Sequence, residues 1–587
     1  MNRILASFRD RLEKCRHNIA GSDSFFYIYE ELQHLVTPSL ITDIISSSFQ
    51  HQQLEDIVAI VTSDGIRLLC ILALLDQIDQ LTNFLAHSTL DSRLPIREEA
   101  ELQAIAPDLK PVFFTKYQWQ FFPWVFQKNY GHLVLHSRTV LPFISDEIIA
   151  EGSGGVVSAV EIPTQLQAFI NSNDDKVRVV RKRIKALKSR ERTEGLLREE
   201  VNCLELYRRL RHANIIPLLG SFTLNQEHNL IFPCYSKNLD EFLSQERVGQ
   251  FMKNTTFSSA LVGLASALQC VHETNWRCRV KPNFYTKYGY HHDFRPANIL
   301  VTESTFVLAD FGLAKFSSAP LATEWNENIG HYIAPECMDG SFNPLQVGYS
   351  YDIWAFGCFL AEIATYIALG PVGVQNFEIQ RKSDTYYEKK YRNSYFFDGQ
   401  LSSLKPQVRD WLLHLSNQTQ DRTIVYLVSL ARKMLQFSPK DRLDMNIHLV
   451  RLYFIHAKCL FYSSTNSLAQ TLSQVNEMQY PGSDRASGEL NLELSRLRAF
   501  GDFLHMSDAT EVDCLHFRDA AFRNLVIDCL SRISTTHSFS KADLIKFTHE
   551  CVSTERKSGV VTAFAPPKLI EESVQDDISK LCRALPD

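Results

Sequence analysis

The stretch His291-His292-Asp293-Phe294-Arg295-Pro296-Ala297-Asn298, with Asp310-Phe311-Gly312 beginning twelve residues after Asn298, constrains this chain more than any other feature. The spacing D-x-x-x-x-N lets one short loop carry both a proton acceptor, Asp293, and an oxygen ligand for a metal, Asn298. Asp310 follows the apolar run Phe306-Val307-Leu308 and brings a second carboxylate from a separate loop. That order of groups suits metal-assisted phosphoryl transfer.

Length and composition bound the rest. The 587 residues are enough for three or four domains at about 100–200 residues each. Hydrophobic content of 45% with 22% charged residues is ordinary for a globular protein and lies outside the disordered class. A net charge of −6 argues against a general nucleic-acid binder, which would be basic. The thirteen cysteines form no C-x-x-C pair, so free thiols in a reducing compartment are expected rather than a disulfide or zinc framework. No signal peptide is visible at the N-terminus, and cytosol or nucleus is the expected location. Trp354 to Val374 is apolar apart from Glu362 and Thr365, but Gly370-Pro371-Val372-Gly373 breaks it. It reads as a buried core helix rather than a membrane span.

Patterning divides the chain. Residues 1–110 read as helices, with Leu54 to Leu85 rich in Leu, Ile and Ala at three-to-four spacing. Residues 111–142 are dense in aromatics (Phe113, Phe114, Trp119, Phe121, Trp124, Phe126) and read as a strap packed on a neighbouring domain. From 143 short β-branched runs appear: Val156-Val157, Val177 to Ile184, Ile215 to Leu219 and Leu230 to Phe232. A helix is expected over about 190–210, and the pattern after 240 is mostly helical. Residues 457–487 read as a linker, 488–555 regain helical periodicity, and 556–587 form a polar tail.

Residues 143–456 resemble the catalytic domain of eukaryotic protein kinases, in a divergent, serine/threonine-like form similar in style to kinase-domain proteins of filamentous fungi. The resemblance implies an α+β, two-lobed kinase fold: a small β-rich lobe, a large helical lobe, and mainly α-helical flanks. It rests on several elements in the family's order. Ile149-Ala150-Glu151-Gly152-Ser153-Gly154-Gly155-Val156-Val157 looks like the Gly-rich loop, with Gly152 and Gly155 at the second and third glycines and Ala150 at the first. Glycines there let backbone amides approach phosphate oxygens. Val179-Val180-Arg181-Lys182 is similar to the family's V-A-I-K strand, which makes Lys182 the lysine for the α- and β-phosphates, with Lys185 as the alternative. Its helix partner is assigned to Glu200, or else Glu199. Arg211-His212-Ala213-Asn214-Ile215 resembles H-x-N-I.

The resemblance also places the cofactor groups. Phe232 stands as gatekeeper, Cys234 at the hinge, and Val157, Val180 and Leu300 around the adenine ring. Asp293 is assigned to the acceptor hydroxyl, Arg295 to the transferred phosphate, and Asn298 and Asp310 to Mg²⁺. His331-Tyr332-Ile333-Ala334-Pro335-Glu336 matches A-P-E, and Glu336 is expected to pair with Arg442. Asp352 resembles the aspartate that opens the central helix of the large lobe. The implied activity is transfer of the γ-phosphate of ATP to a protein hydroxyl, with serine or threonine the assigned acceptor. Tyrosine stays open, because Arg295 replaces the family's lysine and its threonine before A-P-E is not evident. The implied partner is a protein substrate, and the flanks 1–110 and 488–587 are expected docking regions.

Ala150, His292 and that missing threonine also keep a nucleotide-binding scaffold open as the alternative. A small-molecule phosphotransferase is the third reading, against which A-P-E, Asp352 and Arg442 favour a protein acceptor. His292 stands where an arginine receives the activation-loop phosphate, so weak dependence on phosphorylation at Ser317, Ser318 or Thr323 is expected.

Overall fold

The computed structural model describes residues 2–46, 49, 53–128, 131–152, 155–184, 212–272, 274–277, 284–317, 330–337, 347–382, 395–398 and 403–463. The chain divides into two compact units, one of residues 1–209 and 217–234, the other of residues 210–216 and 235–587. The expected helix over 190–210, with Glu199 and Glu200, lies outside the described residues, as do Lys185, Ser318, Thr323 and residues 464–587.

The first unit begins with helices α1 (Asn2–Lys14), α2 (Tyr29–Leu35), α3 (Pro38–Ile45), α4 (Leu54–Asp64), α5 (Ile66–Leu75), α6 (Leu81–Ala86), α7 (Glu99–Ile105) and α8 (Gln118–Phe121). In α1 the apolar residues Leu5, Phe8 and Leu12 fall on one face and are buried. Pro38 opens α3, where Thr37 Oγ1 accepts the Leu40 amide. α5 is buried on nearly every side. Its first amides, on Arg67 and Leu68, donate to the carboxylate of Asp91 at 2.9 Å each, which caps an N-terminus that Gly65 cannot.

Between α1 and α2, strands β1 (His17–Asn18) and β2 (Phe25–Phe26) form a short hairpin. The main sheet has six strands: β3 (Leu133–Val134), β4 (Ser145–Gly152), β5 (Gly155–Pro163), β6 (Lys176–Ile184), β7 (Gly220–Leu224) and β8 (Glu227–Pro233). Their order is β3-β7-β8-β6-β5-β4, antiparallel except for β3, which pairs parallel to β7. The stretch Ile215 to Leu219, expected as a strand, makes only an isolated bridge from Ile215 to Leu308; the strand starts at Gly220.

The aromatic stretch is no strap laid over a finished domain. Phe113, Phe114 and Phe121 complete the helical core around α5. Phe126, Leu135 and Phe143 join Phe26 and Ile28 against Val160, Ile162, Val177, Val179, Phe222 and Ile231, so the N-terminal residues and one face of the sheet share a single core. Backbone bonds join the same parts: Phe126 donates to Leu166 (2.9 Å), Ala168 to Phe126 (2.8 Å) and Ala20 to Phe143 (2.9 Å). The compact unit therefore spans the composition boundary at 143.

The second unit contains β9 (Lys237–Asn238), α9 (Leu239–Leu243), α10 (Asn254–His272), β10 (Thr274–Arg277), β11 (Phe284–Tyr290), β12 (Ile299–Val301), β13 (Phe306–Leu308) and β14 (Lys315–Ser317). After these come α11 (Tyr349–Lys382), α12 (Pro406–Gln418), α13 (Arg422–Met434) and α14 (Met445–Ser463). The apolar run from Trp354 is the first half of α11 and is buried from Tyr351 to Tyr366, as a core helix should be. Gly370, at φ 66°, kinks it where Pro371 follows. Gly357 lets α13 approach closely, because a Cβ there would sit 2.9 Å from that of Met434. α14 continues to Ser463, beyond the expected end at 456.

Glu336 and Arg442 form the expected ion pair, buried and bidentate at 2.6 and 2.9 Å. Arg442 also donates to the carbonyls of Gln436, Phe437 and Ser350, so all five guanidinium N–H groups are used. Glu336→Ala leaves that guanidinium buried without its counter-charge and should lower stability by about 3–5 kcal/mol in urea unfolding. α14 also buries two imidazoles. Burial pushes His448 down to about 3, with Arg451 adding to it, and His456 down to about 4. Both are neutral when folded, whereas the unfolded chain takes up protons from about pH 6.5 downward. Stability should thus be full above pH 6.5 and fall toward pH 4 by about 1.4 kcal/mol per pH unit for each imidazole. His456→Gln should remove its share of that slope in urea midpoints measured across the window.

Candidate active site

In the first unit the candidate residues lie on one face of the sheet. Strand register pairs Val157 with Lys182, Ala150 with Val157, Val180 with Phe232 and Lys182 with Leu230. Paired residues and residues two apart share a face, so Ala150, Val157, Val180, Lys182 and Phe232 lie together. Lys182 is half-buried there, as are Val157 and Val180, and Phe232 is buried. Cys234 follows β8 and is half-buried. The neighbouring arginine is not the solvated residue that a basic run implies. Arg181 is buried on the opposite face, paired with Asp146 and 4.9 Å over the Phe143 ring.

Gly152 and Gly155 face each other where β4 turns into β5. Gly155 has φ +142°, and a Cβ there would lie 2.1 Å from the Arg183 carbonyl. Its glycine is thus required by the approach of β6, whatever it also offers a phosphate. Ser153 and Gly154 lie outside the described residues.

The candidate carboxylates lie in the second unit. β11 leads directly into the loop 291–298. The amides of His291 and His292 donate to Asp352 Oδ2 and Oδ1 at 2.8 and 2.9 Å, and His272 Nε2 lies 3.0 Å from Oδ2. Burial alone would push the Asp352 carboxyl up; the His272 bond and the charges of His272, His292 and His291 outweigh it and bring it down to about 2. His292 holds φ +60°. Its ring is buried, stacked on Tyr290 at 5.5 Å and edge-on to Tyr351 at 5.9 Å.

Asp293 is held at both oxygens. Asn298 Nδ2 donates to Oδ2 at 2.7 Å and to the Asp293 carbonyl at 2.9 Å, and Arg295 Nε lies 3.2 Å from Oδ1. The His291 ring joins this loop to the next: Nδ1 accepts the Asp293 amide at 3.4 Å, which leaves Nε2 to donate to the Ala309 carbonyl at 3.1 Å. Ala309 in turn donates to the Asn298 carbonyl at 2.9 Å. Asp310 follows at φ +57°, exposed, with Oδ1 accepting the Gly312 amide at 3.2 Å. Phe294 packs on Phe356 and Phe359, and Phe311 on the His291 ring, so each loop is anchored by a buried aromatic. Leu300 lies half-buried on β12, which pairs with β13 and β9.

Asp293, Arg295 and Asn298 meet within one loop, and the Ala309 amide on the Asn298 carbonyl brings the Asp310 backbone next to it. Two further residues and one hairpin carry the arrangement and went unread in the sequence. His272 stands 80 positions from Asp352, so nothing local marks the pair. His291 looked like one letter of a motif but bridges two loops. The hairpin β10–β11 was read as part of a helical region; it extends the strand that delivers the loop, and β11 pairs with β14 beyond Gly312. The turn His212-Ala213-Asn214 supports β13 from behind, with Asn214 Nδ2 donating to the Phe306 carbonyl at 2.8 Å.

The residues that could hold Mg²⁺ are Asp310 and the side-chain oxygen of Asn298. Both are hard oxygen donors, as that ion prefers. Among the described residues there is no cluster of three or more His, Cys, Asp or Glu that could hold a metal. Magnesium needs none, since it commonly takes one or two protein ligands together with substrate phosphates and waters.

Known proteins give the same reading. The family model described as protein kinase domain matches residues 148–454, more than half of the chain. The chain is similar to Cell division control protein 2 homolog 1 of Trypanosoma brucei brucei, 27% identical over 183 residues, which cover 31% of this chain and 55% of that protein. It is 29% identical to Cell division control protein 2 homolog 3 of the same organism over 276 residues, 45% of this chain and 80% of that protein. Cyclin-dependent kinase-like 4 of Mus musculus is 27% identical over 325 residues, 52% of this chain and 81% of that protein. With the catalytic loop, the Asp310 loop and the Glu336–Arg442 pair all in their expected chemical settings, the chain belongs to the protein kinase family.

Proposed function

We propose that the protein is an active kinase that transfers the γ-phosphate of ATP to a serine or threonine hydroxyl of a protein substrate. The carrying observation is the Asp293 carboxylate, aimed from both oxygens by Asn298 and Arg295 on a loop bolted to buried Asp352. The similarity to Cyclin-dependent kinase-like 4 and the Cell division control protein 2 homologs supports that acceptor class.

In this reading Lys182 binds the α- and β-phosphates. Val157, Val180, Phe232, Cys234 and Leu300 are assigned to the adenine. Asp293 accepts the proton of the acceptor hydroxyl as its oxygen bonds to the γ-phosphorus and the bond to the bridging oxygen of ADP breaks. Arg295, whose side chain is itself exposed, stands beside Asp293 and is assigned to the transferred phosphate. Asn298 and Asp310 would hold Mg²⁺, which neutralises phosphate charge when bound.

Lys182→Met and Asp293→Ala should each reduce protein phosphorylation at least about 100-fold, the low end of what a positioned proton acceptor contributes, with circular dichroism unchanged. A wild-type chain that binds nucleotide with Mg²⁺ but phosphorylates no protein would point to the scaffold reading. Transfer to metabolites alone would point to a small-molecule acceptor.

His292 is packed between tyrosine rings, so it offers no exposed fork to a phosphate. Phosphatase treatment should therefore leave activity within about twofold of the untreated protein, and His292→Arg should not be needed to obtain full rate.

A further inference from the structure

Five of the twelve exposed large apolar side chains among the described residues fall in two adjoining segments of the second unit: Val248 (57% exposed), Met252 (62%), Leu369 (48%), Val372 (61%) and Ile379 (64%). The segments touch. Tyr366 of α11 donates to the Gln245 carbonyl at 2.7 Å, and the Glu246 carboxylate lies against Gly370 at the kink. Arg247 folds the loop back on itself, donating to the carbonyls of Phe251 and Met252 at 2.9 and 3.1 Å. Val372 and Ile379 are seven residues apart, on one face of the second half of α11, with Gln375 and Asn376 exposed between them. Such concentrated exposure marks a surface made to be covered.

The charge pattern of this surface indicates what covers it. Its exposed centre is uncharged: Gly249 and Gln250 lie between Val248 and Met252, as Gln375 and Asn376 lie between Val372 and Ile379. The Arg247 guanidinium is turned onto carbonyls of its own loop and onto Asn254 at 2.8 Å. The charges that border the centre are balanced, Glu246 and Glu378 against Lys253 and Lys382, and Glu378 already pairs with Lys382. A strongly charged partner would find nothing at the centre to pair with, and interface cores are depleted of charge. A two-fold contact presents one surface to itself, so the surface is its own occupant. An uncharged centre and a balanced border suit that arrangement, because no like charges are driven together. The size fits as well. Five apolar side chains, each about half exposed or more, leave on the order of 400 Å² of apolar surface in water, which is the apolar half of the ~800 Å² per partner that a standard interface buries.

We propose that two copies of the chain pack on each other through this surface about a two-fold axis, with Val372 and Ile379 of α11 and Val248 and Met252 of the adjoining loop at the centre of the contact. The dimer is independent of phosphate transfer and would hold for an inactive kinase as well.

Sedimentation velocity of the full-length chain tests it, over about 1–100 µM, where contacts of this size associate. Monomer should give way to a dimer of twice the chain mass as concentration rises. Val372→Glu with Ile379→Glu should weaken association at least about tenfold, because the two-fold brings each new charge in twice. Val372→Lys with Ile379→Lys should do the same, and an equimolar mixture of the Glu and Lys chains should dimerise again. Val372→Ser with Ile379→Ser serves if the charged variants fail to fold, and Leu443→Glu, at an exposed apolar residue elsewhere, should leave the dimer as it is. A wild type that stays monomeric to 100 µM overturns the proposal, as does a dimer that survives the double variants or is lost equally in Leu443→Glu. Folded Glu and Lys chains that stay monomeric when mixed overturn it too.

Discussion

The carboxylate of Asp352 is the point on which the loop 291–298 of the second unit depends. It sits fully buried in the first turn of the core helix α11 and receives two backbone amides and one imidazole. The left-handed backbone at His292 costs a non-glycine residue about 1–2 kcal/mol. A hydrogen bond to a charged group returns about 1.5–3 kcal/mol, and two such amide bonds flank the strained residue. The balance favours the strained loop, and the strain turns Asp293 toward Asn298 and Arg295. The same carboxylate therefore links packing of the longest helix to the aim of the proton acceptor. Its partners outweigh burial and bring its carboxyl down to about 2.

The segment before α11 is secured by the same means at two more points. Glu336 is clamped by Arg442, whose five donors are all engaged. Tyr332 donates to Glu362 at 2.6 Å, and Glu362 is paired with Arg381 at 2.7 Å. The Arg381 guanidinium lies over the rings of Phe377 and Phe396, at 4.6 and 4.3 Å. Buried charge is expensive unless each partner is fully met. Here three buried carboxylates on or beside α11 are met, which makes the helix a rigid base for both loop 291–298 and segment 331–336.

In the first unit the governing constraint is the apolar face of the sheet. Val177, Val179, Val160 and Ile162 need a cover, and Phe26, Ile28, Phe126, Leu135 and Phe143 provide it from sequence that precedes the strands. Arg181 is drawn into that cover and satisfied by Asp146, leaving the alternate positions Val180 and Lys182 on the other face. The N-terminal residues thus decide by packing which side of β6 is covered and which side carries Val180 and Lys182.

What the sequence determined by itself was the chemistry and its order. The spacing of Asp293, Asn298 and Asp310, the A-P-E element, and the Glu336–Arg442 pair were legible because each lies in a short run of letters with a physical reason for its residue types. Strands β5, β6 and β8 were legible from β-branched alternation, and α11 from its apolar run ending at Gly370. The tertiary structure alone decided the long-range partners: His272 with Asp352, His291 with Ala309, Phe26 with the sheet, and Arg381 with Glu362. Ile215 to Leu219 was misread because its apolar letters serve a turn against β13 and a short approach to β7. The aromatic stretch at 111–142 was read as a strap because burial leaves no mark of which neighbour supplies it. Local spacing encodes which groups can react, whereas contacts between residues tens of positions apart arise only when the chain closes on itself, and they decide where those groups point.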